Sequence, residues 1–200
     1  MLNILLTGVG GQGTVLAAKV LAQAAQAKGW QVRTAETIGM AQRGGRVVSH
    51  VRMGNDGEEV LAPLVAAGSA DLVIAFEPAE AARVLPYLSP TGVLVSATTA
   101  IQPVTAALSS EPYRSGDIVT RLGEILNVGG EKRFFAIDDD SLVNRVGNRK
   151  ALNTILLASA LALGRLPLSL DDLREAIAVC VKPRFVDLNM TAIEAVDQGV

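Results

Sequence analysis

The chain has 200 residues, half of them hydrophobic but only 4% aromatic, with one cysteine and a formal charge of −2. That length suffices for one α/β domain over residues 1–200 with a core on both sheet faces, and the core must be aliphatic. The charge balance gives no basic face for nucleic acid, and the lone Cys180 excludes an internal disulfide or an iron–sulfur cluster held by this chain alone, which takes about four thiolates.

In chain order, residues 2–6 are short and aliphatic, as in a buried strand. Gly8-Val9-Gly10-Gly11-Gln12-Gly13 follows, and then Val15, Leu16, Ala18, Lys19, Leu21, Ala22 and Ala25 continue with a helical period. The cluster is therefore a strand-to-helix turn, where glycines permit tight turning and the helix-start N–H groups can meet an anion. Gly8, Gly10 and Gly13 fit the dinucleotide fingerprint, and a second strand over residues 31–35 ends at Glu36, where a ribose-binding acid is expected. The same glycines would also let the first helix pack tightly on the first strand, and spacing alone does not separate the two roles.

A second glycine cluster, Gly39-Met40-Ala41-Gln42-Arg43-Gly44-Gly45-Arg46, leads into an alternating, strand-like stretch over residues 47–53. His50 is expected on one face of that strand with Val48 and Arg52, as a surface or interface group. Arg43, Arg46, Arg52 and His50 with no acid among them suit an anion, an acidic partner or a solvated strand end. A turn over residues 54–57 predicts that residues 58–61 pair back, making a hairpin of residues 46–61. Residues 63–67 are expected as a short helix ended by Gly68.

Beyond it, residues 71–76 form the clearest strand, followed by Glu77-Pro78 and a helix over residues 79–88. Residues 93–96 and 133–137 are strands, with a helix over residues 116–126 between them. Asp138-Asp139-Asp140 could hold a hard cation, but an acid before Ser141 is better placed as a helix N-cap. Three helices follow, over residues 149–163, from Ser169 to about residue 179, and over residues 187–196. The whole predicts a doubly wound, mostly parallel, Rossmann-like α/β sheet with helices on both faces, a hairpin insertion and a helical C-terminal part. No basic leader precedes the first strand and no apolar helix reaches the ~20 residues of a bilayer span, so a cytoplasmic protein is expected.

No catalytic apparatus is legible: there is no Walker lysine, nucleophile elbow or metal-ligand spacing. Cys180 lies among Val179 and Val181, as a structural thiol would, although Lys182 and Arg184 are near in sequence. The two glycine clusters together resemble the gamma-type subunits of the 2-oxoacid:ferredoxin oxidoreductases, and more narrowly the beta subunit of indolepyruvate oxidoreductase. The resemblance rests on Gly8 to Gly13, on Glu36 with the run from Gly39 to Gly45, and on Ser49-His50-Val51-Arg52. It also rests on Phe76-Glu77-Pro78 with Glu80, and on Asn153.

That resemblance implies a non-catalytic subunit supporting thiamine-dependent oxidative decarboxylation of an aryl 2-oxoacid to an acyl-coenzyme A. Thiamine diphosphate and iron–sulfur clusters are then expected in partner subunits, and ferredoxin meets the chain through the complex. Coenzyme A is a possible co-substrate here, held by Gly8, Gly10, Gly11, Gln12, Gly13 and Thr14, with Glu36, Gln42, Arg43 and Arg46 as further cofactor-binding candidates. Met40 and Ala41 fit a buried contact with the partner. The rivals are a free-standing dinucleotide-binding oxidoreductase using Gly8 to Gly13 with Glu36, and an assembly module that binds no ligand.

Overall fold

The computed structural model describes residues 1–39, 45–101 and 113–199. Six strands form one sheet in the order β2-β3-β1-β4-β5-β6. They are β1 (Leu2–Val9), β2 (Gln31–Ile38), β3 (Arg46–Gly54), β4 (Ala70–Ala75), β5 (Leu88–Ala97) and β6 (Phe134–Ile137). β1, β4, β5 and β6 pair in parallel, and β3 alone runs against its neighbours on both sides. The buried aliphatic runs of β1 and β4 are what a sheet covered on both faces requires.

One face is covered by α1 (Thr14–Ala27), α4 (Asp139–Val146), α5 (Leu152–Ala162), α6 (Leu170–Cys180) and α7 (Val186–Asp197). The other carries α2 (Pro78–Val84) and α3 (Ser115–Leu126). α5 is apolar nearly all round and buried along almost its whole length, because α1 and α7 enclose it against the sheet. Its Thr154 hydroxyl bonds Asn189 on α7, whose Nδ2 donates to the Phe185 carbonyl at 2.6 Å. The Ser169 capping box that opens α6 is present as its sequence implies, with Asp172. No helix among the described residues is long and apolar enough to cross a membrane.

The hairpin lies one element earlier than the sequence implies. Residues 58–61 form no strand; β3 instead turns back on β2, with Ile38 opposite Val47 and Gln31 opposite Gly54. Residues 63–67 are not helical either. The stretch after the turn is fastened by side chains rather than by a ladder: Val60 N–H donates to Gln31 Oε1 at 3.2 Å, and Arg52 donates to the Ala62 carbonyl at 2.9 Å.

His50 is corrected from a surface or interface group to a buried one, 4% exposed. Val65 N–H donates to its Nδ1 at 3.1 Å and its ring meets Tyr87 edge-on, so it holds the segment after β3 against the sheet. Accepting that bond requires an unprotonated Nδ1. Burial, with a smaller contribution from the Arg46 charge, holds the imidazole below its ordinary 6.5. The unfolded chain therefore binds the proton first as pH falls. The stability that His50 contributes is complete above pH 6.5 and is lost as pH drops toward and through the lowered value. In urea titrations from about pH 7.5 to about pH 5.5, the wild-type midpoint should fall more steeply than that of His50→Gln, whose amide oxygen can still accept from Val65. Parallel pH profiles would contradict this account.

Candidate cofactor cleft at the glycine turn

The turn after β1 stands at the carboxyl end of the sheet, where the chain leaves β1 for one side and β4 for the other, the usual ligand position in an open α/β sheet. Gln12 shapes it. Val9 N–H donates to Gln12 Oε1 at 2.7 Å, and Gln12 Nε2 donates to the Phe76 carbonyl at 2.6 Å, tying the end of β1 to the end of β4. A Cβ at Gly8 would lie 2.7 Å from Gln12 Oε1 and 3.0 Å from Phe76 Cβ, so a side chain there would push the Gln12 carboxamide out of its bonds. Gly11 and Gly13 have φ of 102° and 82°, the left-handed region glycine favours.

Gly13 is the N-cap of α1, which has no side-chain cap and no acid in its first turn. Its first N–H groups and positive dipole end are left for an anion. Facing them is the start of α5. A Cβ at Gly13 would come within 3.1 Å of Asn153 Nδ2, so the turn and that side chain are neighbours. Arg149 and Lys150, in the 3-10 turn Arg149–Ala151, join Gly10 to Gly13 around a cleft of about 470 Å³ and are the charged residues lining it among the described residues. Arg149 also reaches Asp139 at 3.9 Å and Asp140 at 3.7 Å. Asp139, fully buried, accepts from Thr98 N–H at 2.9 Å and Thr99 N–H at 3.0 Å, while Asp138 caps α4 by accepting from Ser141 N–H at 3.1 Å. The aspartate triplet is thus occupied in joining β5, α4 and Arg149.

The structure brings together Gly10, Gly11, Gln12 and Gly13, with Gly8 and the buried Thr14 immediately beneath them. It does not bring Glu36 to them. Glu36 is exposed on β2 and lines a separate groove with Lys19 and Gln23 of α1. Arg46 turns toward Glu80, Nε to Oε2 at 3.7 Å, and Arg52 is bonded to Asn3 Oδ1 at 2.8 Å, so neither lines the cleft. Gln42 and Arg43, with Met40 and Ala41, lie outside the described residues. Arg149 and Lys150 were not legible as site residues: their only signal is basic charge just before a helix, 136 or more positions after Gly13.

Glu77 and Glu80 form a second polar cluster on the α2 side. Glu77 is the N-cap of α2, accepting from Glu80 N–H at 3.0 Å and from the Tyr113 hydroxyl. Burial pushes the Glu80 carboxyl up, partly offset by Arg83 at 3.2 Å and by Arg46. Burial likewise raises the Cys180 thiol, whose Sγ rests 3.9 Å from the Lys19 carbonyl, the setting of a structural rather than a reactive cysteine. Among the described residues no group of three or more His, Cys, Asp or Glu side chains is placed to hold a metal ion.

Residues 3–198 match the family described as pyruvate ferredoxin/flavodoxin oxidoreductase. The indolepyruvate oxidoreductase subunit IorB of Thermococcus kodakarensis is 36% identical over 96% of this chain and 92% of its own length. Among solved structures, the keto/oxoacid ferredoxin oxidoreductase gamma subunit of Geobacter sulfurreducens shares the fold. Its TM-score is 0.66, with 22% identity and 99% of each chain covered. The 2-oxoglutarate:ferredoxin oxidoreductase of Magnetococcus marinus, solved with 2-oxoglutarate, coenzyme A and succinyl-CoA bound, has a TM-score of 0.68. It is 19% identical, over 99% of this chain and 30% of that one.

Gln12→Ala removes both bonds of the bracket, at about 1 kcal/mol each. Denaturant titration should show a loss of about 2 kcal/mol; a loss below about 0.5 kcal/mol would mean that backbone pairing alone holds the two strand ends.

Proposed function

The chain belongs to the pyruvate ferredoxin/flavodoxin oxidoreductase family, and from that premise we propose that it is the non-catalytic subunit of an indolepyruvate-type (aryl 2-oxoacid):ferredoxin oxidoreductase. The observation that carries this is the likeness to the IorB subunits along nearly the full length of both chains. The reaction consumes a 2-oxoacid, coenzyme A and oxidised ferredoxin and yields an acyl-coenzyme A, carbon dioxide and reduced ferredoxin. Thiamine diphosphate and iron–sulfur clusters, in partner subunits, supply the decarboxylation and the electron transfer. With one cysteine, this chain's own contribution is assembly and the handling of coenzyme A in the cytoplasm.

The cleft suits that task. A nucleotide's phosphates need N–H donors and cations, and the uncapped start of α1 supplies the first while Arg149 and Lys150 supply the second. A dinucleotide would further need an acid near the turn for its ribose, and Glu36 is held away on an edge strand.

Two measurements test the proposal. Co-expression with a thiamine-binding, cysteine-rich partner should give a complex that survives gel filtration; two separate peaks would end the subunit assignment. In that complex, Arg149→Gln with Lys150→Gln should weaken coenzyme A binding about tenfold or more in calorimetry and flatten its salt dependence. Unchanged affinity would remove the cleft from coenzyme A binding.

A further inference from the structure

We propose that the open edge of β2 docks the partner subunit by strand addition, taking an extended segment that sets an acidic side chain beside Arg33 and apolar side chains against Leu61 and Leu64. The inference rests on the subunit reading and adds which surface the partner takes and what kind of segment it offers.

β2 ends the sheet, and all eight of its residues, Gln31 to Ile38, pair with β3 in one unbroken register. In an antiparallel ladder alternate residues turn both N–H and C=O away from the partner strand, so roughly half of β2 presents these groups at its open side. Proteins ordinarily blunt such an edge with proline, lysine, a bulge or brevity. β2 has no proline, no lysine and no shift of register, whereas the strand at the other edge, β6, is only four residues long.

Exposed apolar side chains gather along the same edge. Among the described residues eight large ones are exposed, and four of them, Val15, Ile38, Leu61 and Leu64, border β2 or the part of β3 paired with it. Leu61, 82% exposed, lies between Val60, bonded to Gln31, and Ala62, bonded to Arg52. Leu64 precedes Val65, which is bonded to His50 opposite Ala35. On the other face Val15 shares a groove with Val32, Thr34 and Glu36. Apolar surface concentrated in this way marks a contact with another chain.

Charge identifies the occupant. Arg33 stands directly opposite Arg52, and like charges so placed repel. Arg52 donates to Asn3 Oδ1 and to the Ala62 carbonyl, both neutral, and neither arginine forms an ion pair among the described residues. A second copy of the chain does not answer this. Two such edges paired antiparallel about a two-fold axis normal to the sheet keep every residue on its own face. The copy would therefore add its own Arg33 to the face that already holds these two cations. An acid on an added strand does answer it, while main-chain bonds along the strand supply affinity.

The test uses the chain co-expressed with its thiamine-binding partner. Hydrogen exchange over residues 31–38 should slow about tenfold or more in the complex relative to the free chain. Arg33→Glu should weaken the complex about tenfold, yet leave the free chain at least as heat-stable, because the new acid faces Arg52. The exchange comparison within the wild type stands whether or not the variant folds. A complex in which β2 exchanges as it does in the free chain, or one indifferent to Arg33→Glu, overturns the assignment and leaves the subunit reading in place. Protection of β2 that rises with the concentration of the free chain alone puts a second copy on the edge and overturns it as well. If no complex forms, both fall together.

Discussion

The carboxamide of Gln12 does the work of a missing peptide between β1 and β4. The parallel ladder between them runs from Ile4 opposite Leu72 to Thr7 opposite Ala75, after which Phe76 N–H still reaches the Thr7 carbonyl. One step further, Val9 N–H and the Phe76 carbonyl have no backbone partner across that gap, and Gln12 supplies an acceptor to one and a donor to the other. For that carboxamide to lie between the strand ends, the chain must fold back within three residues of Val9. The glycines at 8, 11 and 13 then follow from clearance and backbone handedness. A pattern that looks like a ligand fingerprint is in the first place the condition for closing the sheet at its switch point, and the exposed N–H groups at the start of α1 are a product of that closure.

The second constraint is the antiparallel strand set between β1 and β2. In the usual dinucleotide fold those two strands are neighbours, and the acid that ends the second sits close to the glycine turn. Here β3 occupies the intervening place. At about 4.8 Å per strand, β2 stands roughly 10 Å from β1 in the plane of the sheet. Glu36 is carried away with it, into the groove against α1. The insertion also buries His50 on the opposite face, where the residues after β3 need an anchor because they lack a ladder of their own.

What the sequence made legible and what it hid divide along physical lines. Elements set by local pattern were plain: the aliphatic strands, the Ser169 capping box, the cap at Asp138 and the glycine turn itself. The hairpin partner was not, because the Gly-Asn-Asp-Gly turn after β3 and the glycine cluster that precedes it in sequence are equally good local signals. Only the competition for the place beside β1 decides between them. His50 looked like a surface group because its alternation with Val48 and Arg52 fixes a face of the sheet without saying what covers that face. The basic run hid its own partners for a similar reason, though Arg43 lies outside the described residues. Arg46 and Arg52 each found an internal partner, Glu80 and Asn3, distant in sequence. Half of the cleft was invisible, since nothing local to Arg149, Lys150 or Asn153 marks them as facing Gly13.

The distribution of unanswered polar atoms ties these points together. Buried acceptors without partners are normally few, because desolvation leaves each uncompensated. Among the described residues eight buried side-chain oxygens have no partner, and two of them, Thr14 Oγ1 and Asn153 Oδ1, flank the turn that also carries an uncapped helix start. Packing alone would favour apolar residues of similar shape at both places, as it does elsewhere on α1 and α5. The polar groups at the carboxyl edge of the sheet therefore sit on a chain whose family makes it a non-catalytic subunit of a 2-oxoacid oxidoreductase complex, not on a centre that performs the chemistry itself.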